Sequence, residues 1–262
     1  MRRPTKAVAT LSLVAVCLYF PLYAQADVSS RLVMDKVYSG YDKKHECWLA
    51  MDSENNQRYC MKIDRTDKIT ADTGERLYVL AVGDAVDDDG EPNGSHAMSG
   101  LVGAFVVEER NNKVEIVHGD PKIRMGASGS APTKWKLTKL GPSGYWGWQN
   151  TSGDCHQGYC GSRYAILAPY GKKIRDLAGI TASFDDSGAC RDKRCEAQSS
   201  SIDSKLEVDS TQINAKVFPL LISVTGRDKG KKLAQKTWNI PFDPKKWSYI
   251  EPKGWPLQGA DF

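Results

Sequence analysis

RLYVLAVGDAV, residues 76–86, decides the fold class. It is a run rich in Leu, Tyr and Val, bounded by turn-forming residues and as long as one strand. The next such stretch, LVGAFVVE (101–108), is apolar and β-branched, and KVEIVH (113–118) alternates with period two. Tyr164 to Ala168, Lys205 to Asp209 and Val217 to Thr225 continue the pattern. The last of these meets the turn-rich Gly226-Arg227-Asp228-Lys229-Gly230 and then Leu233 to Ile240, which reads as a hairpin. One short helix is expected at Lys172 to Ile180, where Ile174, Leu177 and Ala178 share a helical face. Frequent Gly, Asn and Asp punctuation suits many short strands better than long helices. The expectation is a mostly β, antiparallel sandwich or barrel-like body with at most one or two short helices.

The N-terminus places that body in a compartment. Arg2, Arg3 and Lys6 precede an uncharged apolar run, Ala7 to Tyr23, and Ala24-Gln25-Ala26 has the small-x-small form that signal peptidase cuts. The run is short for a membrane span and is broken by Pro21. Cys17 lacks the small preceding residue that a lipid-modified cysteine wants, since Val16 stands there. Residues 1–26 therefore read as a cleaved signal peptide and 27–262 as the exported body, periplasmic or secreted, with no membrane span after signal removal.

Removing the signal also removes the apparent basicity. The chain has 36 Lys+Arg against 32 Asp+Glu, and the leader holds three of the bases and no acid, leaving 33 against 32. A near-neutral body lacks the electrostatic footprint that grips a phosphate backbone, so no nucleic acid is expected as a partner. The remaining residues suffice for one large all-β unit or two small lobes, and Gly126 to Pro132 is the most linker-like segment where a boundary would fall.

Six cysteines survive processing: Cys47, Cys60, Cys155, Cys160, Cys190 and Cys195. In an oxidising space an even number reads as disulfides, with 15 connectivities open. The sequence-local choice pairs Cys47 with Cys60, Cys155 with Cys160, and Cys190 with Cys195. Bridges closing such short loops stiffen them more than they hold the fold. A zinc reading of the last four with His156 has the wrong spacing for a ribbon.

Two motifs suggest chemistry and both are incomplete. Gly126-Ala127-Ser128-Gly129-Ser130 resembles the glycine-rich surround of the nucleophile in chymotrypsin-like proteases, and His45 and the acids between Asp84 and Asp89 precede it in that fold's order. His45 lacks the small residues expected before a catalytic histidine, and the segment fails the nucleophile-elbow pattern. A serine hydrolase using Ser128 is thus an alternative that leans away from enzyme. The loop from Asp84 to Glu91 offers Asp84, Asp87 and Asp89 as weak calcium candidates, but an EF-hand register puts Ala85 and His96 at the first and last ligand positions. No cofactor fingerprint is present.

The candidate recognition surface is aromatic. Trp146 and Trp148 are two apart and share a strand face, Tyr145 adjoins them, and Trp135 and Tyr159 flank the segment. If exposed, these rings anchor a protein or stack on sugars; the competing reading is a sheet core. A second aromatic stretch, Trp247 to Pro256, carries prolines that block regular pairing and reads as an extended tail. The expected function is an inhibitor or immunity-type protein that binds another protein of the cell envelope, with a carbohydrate or cell-wall binding module as the alternative.

Overall fold

The computed structural model describes residues 23–71, 74–110 and 113–258. Helix α1 (Tyr23–Val37) precedes β1 (Tyr41–Asp42), β2 (Cys47–Asp52), β3 (Gln57–Ala71), β4 (Gly74–Val86), β5 (Gly100–Arg110) and β6 (Lys113–Met125). Next come β7 (Lys136–Gly141), β8 (Tyr145–His156), β9 (Tyr159–Tyr170), β10 (Lys173–Asp176) and β11 (Thr181–Asp185). Helix α2 (Lys193–Gln198) leads to β12 (Ser201–Val208), β13 (Leu220–Asp228), β14 (Lys231–Lys232), β15 (Lys236–Ile240), β16 (Phe242–Asp243) and β17 (Ser248–Tyr249). Strands β1 to β6 form a six-stranded antiparallel meander in sequence order, β7 to β15 a nine-stranded antiparallel sheet, and β16 and β17 a separate pair. The chain is a mostly β, sandwich-like protein.

Strand β4 explains why residues 76–86 are apolar without alternating. Tyr78 and Leu80 point toward the second sheet, while Val79 and Ala81 point toward the opposite face. Strand β5 does the same, with Val102, Ala104 and Val106 on the inner face and Leu101, Phe105 and Val107 on the outer. The inner residues meet Trp135, Trp148, Ala165, Leu167 and Ile174, so the two sheets share a core. The outer face of the first sheet is covered by α1, whose Val33, Met34 and Val37 lie along one stripe. The outer face of the second is covered by the C-terminal segment through Tyr249, Trp255 and Leu257. Both central strands are buried on two faces, which demands a continuous apolar run.

Polar contacts join the sheets. The Asp64 carboxylate accepts from the backbone N–H groups of Lys134 (3.0 Å) and Trp135 (3.1 Å), and Arg65 donates to the Trp135 carbonyl. Gly126 N–H donates to Ser152 Oγ (3.0 Å), and Gly119 N–H donates to the Lys172 carbonyl (3.1 Å). The Gly126 to Pro132 segment connects β6 to β7, and its Ala131 lies in the shared core.

One local expectation is corrected. Residues 173–176 form β10, paired with β9, instead of a helix. Gly171, at φ +60°, turns the chain back, Ile174 then enters the inter-sheet core, and Leu177 and Ala178 enter the outer one. The helical spacing of those three residues serves two separate cores. Helix α1 was not expected, and the anticipated cut after Ala26 falls within it. The leader through Leu22, with Cys17, lies outside the described residues. Among the described residues no helix is long and apolar enough to cross a membrane.

Candidate functional site

The cysteines pair locally: Cys47 with Cys60, Cys155 with Cys160, and Cys190 with Cys195. Strand register gathers all three bridges toward one end of the sandwich. Cys60 lies opposite Asp84 near the end of β4, Cys155 lies opposite Cys160 at the β8–β9 tip, and Asp185, which leads into the Cys190–Cys195 loop, is also opposite Cys160. Gly158 in the tip packs against Gly188 and Ala189 of that loop so closely that a Cβ there would meet the Ala189 nitrogen at 2.3 Å. The loop is fixed further by Asp192, which accepts from Cys195 N–H (2.8 Å) and caps α2, and by Asp186, which accepts from Ser200 N–H (2.7 Å). From the other sheet, His96 approaches His156 edge-on at 6.1 Å.

This braced end carries charges of both signs. Asp87, Asp88, Asp89 and Glu91 lie in the β4–β5 loop, where Arg58 pairs with Asp88 and Lys44 with Glu91, and Arg191, Lys193 and Arg194 stand among Asp186, Asp192 and Glu196 in the second-sheet loop. Tyr159 stands at the tip with 48% of its surface exposed. The Asp185 carboxyl is held below the usual range, since hydrogen bonds from Ser187 and Ser201 outweigh the opposing effect of burial.

Beside the Cys47–Cys60 bridge lies a cleft of about 530 Å³ lined by residues that include His45, Lys62, Asp84, Glu91 and Ser128. His45 Nδ1 is 2.6 Å from Asp42 Oδ2, and that hydrogen bond holds the Asp42 carboxyl low. His45 Nε2 is buried without a hydrogen bond, 3.6 Å from Glu91 Oε1. The orienting acid is thus Asp42, outside the 84–89 stretch that the hydrolase reading required. Ser128 shares the cleft, but no hydrogen bond links its hydroxyl to His45 among the described residues. Asp84 instead accepts from Ala131 N–H (3.3 Å).

The calcium candidates do not converge. Asp87 Oδ1 accepts from the backbone N–H groups of Asp89 (3.0 Å) and Glu91 (2.9 Å), which closes the turn, and Asp88 pairs with Arg58. Among the described residues no three metal-ligating side chains come together.

The expected aromatic surface divides. Trp148 (0% exposed) and Trp135 (2% exposed) are core residues, with Trp148 edge-on to Tyr78 at 5.5 Å. Trp146 and Trp148 do share a face, and that face is the inter-sheet core, where Trp146 packs half-buried. Sheet stacking therefore buries Trp135 and Trp148 within the protein and leaves Trp146 partly accessible. Tyr145 points into the other core, donates to the Pro169 carbonyl (2.8 Å), and burial pushes its phenol up to about 12.

An aromatic cluster with one well-exposed ring lies at the opposite end of the second sheet. Tyr170 is 46% exposed and its ring centroid is 5.5 Å from that of Trp247, with the planes inclined at 38°. Trp247 is held edge-on by Phe242 (5.3 Å) and Tyr145 (6.3 Å). Arg175 lies over the Tyr170 ring at 5.3 Å and Lys216 over the Trp247 ring at 4.9 Å. The aromatic content of the C-terminal stretch signalled this cluster, but its proximity to Tyr170 arises from tertiary packing.

Comparison with family models, curated proteins and solved structures gives no match for this chain.

Proposed function

We propose that this is an exported binding protein that caps a partner protein of the cell envelope through its disulfide-braced end, in the manner of an inhibitor or immunity protein. The observation that carries the reading is the collection of all three disulfides at that end. Loops fixed before docking lose little conformational freedom on binding, so more of the contact energy appears as affinity. Tyr159 at the hairpin tip supplies an amphipathic anchor of the type favoured in interface hot spots. Interspersed charges of both signs suit a protein surface of mixed charge, where complementarity fixes register and partner choice. Three disulfides and a removable leader fit maturation in an oxidising space.

The test is to immobilise the full chain, recover a species from envelope extract, identify it, and reconstitute the complex from purified components. The expected result is a one-to-one complex that weakens roughly tenfold or more on Tyr159→Ala and on reduction of the disulfides. A complex indifferent to both treatments, or no stoichiometric complex, overturns the reading.

A further inference from the structure

Away from the braced end, Tyr170 and Trp247 form a shallow ring platform edged by cations. Arg175 and Lys216 sit over its rings, and Lys245 and Lys246 immediately precede Trp247. None of these four cations makes an ion pair with a carboxylate within salt-bridge distance among the described residues. The nearby carboxylate of Asp243 accepts instead from the backbone N–H groups of Lys245 (2.8 Å) and Lys246 (3.2 Å). Trp247 also occupies a left-handed backbone position, φ +53°, in the β16–β17 turn. Gly or Asn fills such a position at less cost, and a bulky side chain there is uncommon. The fold thus accepts local strain to hold a part-buried ring, packed by Tyr145, Tyr170 and Phe242, beside cations that pair with no carboxylate among the described residues.

We propose that this platform binds an anionic glycan of the uronate type, whose sugar face stacks on Tyr170, buttressed by Trp247, while its carboxylates meet Arg175, Lys216, Lys245 and Lys246. The exposed Tyr170 ring suits the apolar face of a sugar, and guanidinium presents planar donors matched to carboxylate. Repeating charge on the ligand matches a rim of several cations better than a neutral sugar does. This site is independent of protein capture at the braced end, so either can fail alone.

The test titrates the full chain calorimetrically with galacturonate oligomers, with neutral glucose oligomers of equal length, and with phosphatidylglycerol vesicles. Binding to galacturonate alone is expected, weakened by added salt. It should fall roughly tenfold or more on Trp247→Ala and on Tyr170→Ala, and be unchanged by Tyr159→Ala. The Lys245→Gln, Lys246→Gln double variant should lose affinity and salt dependence together. Should Trp247→Ala unfold, Tyr170→Ala and Arg175→Gln decide. Equal affinity for the neutral oligomer, indifference to the Tyr170 and Arg175 variants, binding of vesicles instead of galacturonate, or no galacturonate binding overturns the proposal.

Discussion

The two ends of β9 show two ways of making a surface. At one end the strand leaves a hairpin tip closed by Cys155–Cys160 and pressed against the Cys190–Cys195 loop. At the other it reaches Tyr170 and the open turn at Gly171, where rings and cations meet solvent. The first end is ordered covalently and carries charges of both signs. The second is ordered by ring packing and carries charge largely of one sign. Between them lies the inter-sheet core, and the largest effects should come from there because it supports both.

Trp148→Ala should cost about 3–5 kcal/mol, since it empties a wholly buried indole site at which the sheets meet. Trp247→Ala removes a half-buried ring from a strained turn and should cost clearly less. Denaturant midpoints measure both, and equal losses would erase the distinction between core tryptophan and presented tryptophan.

That distinction marks where sequence reading stops. The strands at 76–86 and 101–108 were legible because burial on two faces leaves an unbroken apolar run. Strand β3 was equally readable from Tyr59, Met61 and Ile63 at period two, as was α1 from Ser30, Val33, Met34 and Val37 at helical spacing. The fate of the tryptophans was not legible. Alternation tells that Trp146 and Trp148 share a face, while only the stacking of a second sheet tells that the face is interior. Likewise His45 was visible as a candidate, but its partner Asp42 follows from a tight local turn.

Removing the Cys47–Cys60 bridge by a double Cys→Ser substitution should cost about 3 kcal/mol, against about 2 kcal/mol for either of the shorter loops. Hydrogen exchange should show lost protection concentrated at the braced end, with the Tyr170–Trp247 platform unaffected. Loss spread evenly over both ends would mean that the staples hold the whole fold.

The two glycine turns of β9 sharpen the contrast further. Gly158 and Gly171 both have positive φ, +88° and +60°. A Cβ at Gly158 would strike the backbone of Gly188 and Ala189, whereas one at Gly171 meets nothing within 4 Å. Gly171→Ala should therefore show the conformational penalty alone, about 1–2 kcal/mol. Gly158→Ala should show that penalty plus displacement of the Cys190–Cys195 loop, another 1–3 kcal/mol or so. Equal costs from thermal unfolding would show that the tip and loop are not rigidly packed.

The smallest effect separates the ends by what holds their carboxylates. Asp42 is held low first by its hydrogen bond with the His45 side chain. Asp243, beside the platform, is held low first by the backbone N–H groups of Lys246 and Lys245. In both cases the folded carboxyl ionises more readily than the unfolded one, so the stabilisation is complete above the ordinary carboxylate pKa and fades as pH falls through the depressed folded value. His45→Phe should return Asp42 toward its ordinary range and remove its share of the acid sensitivity. Exchanging Lys245 and Lys246 for Gln keeps their backbone donors, so Asp243 should stay low. Carboxyl carbon shifts followed by NMR during acid titration distinguish these outcomes. An Asp42 unmoved by His45→Phe would assign its depression to the backbone of Lys44 and His45, making the two ends alike in this respect.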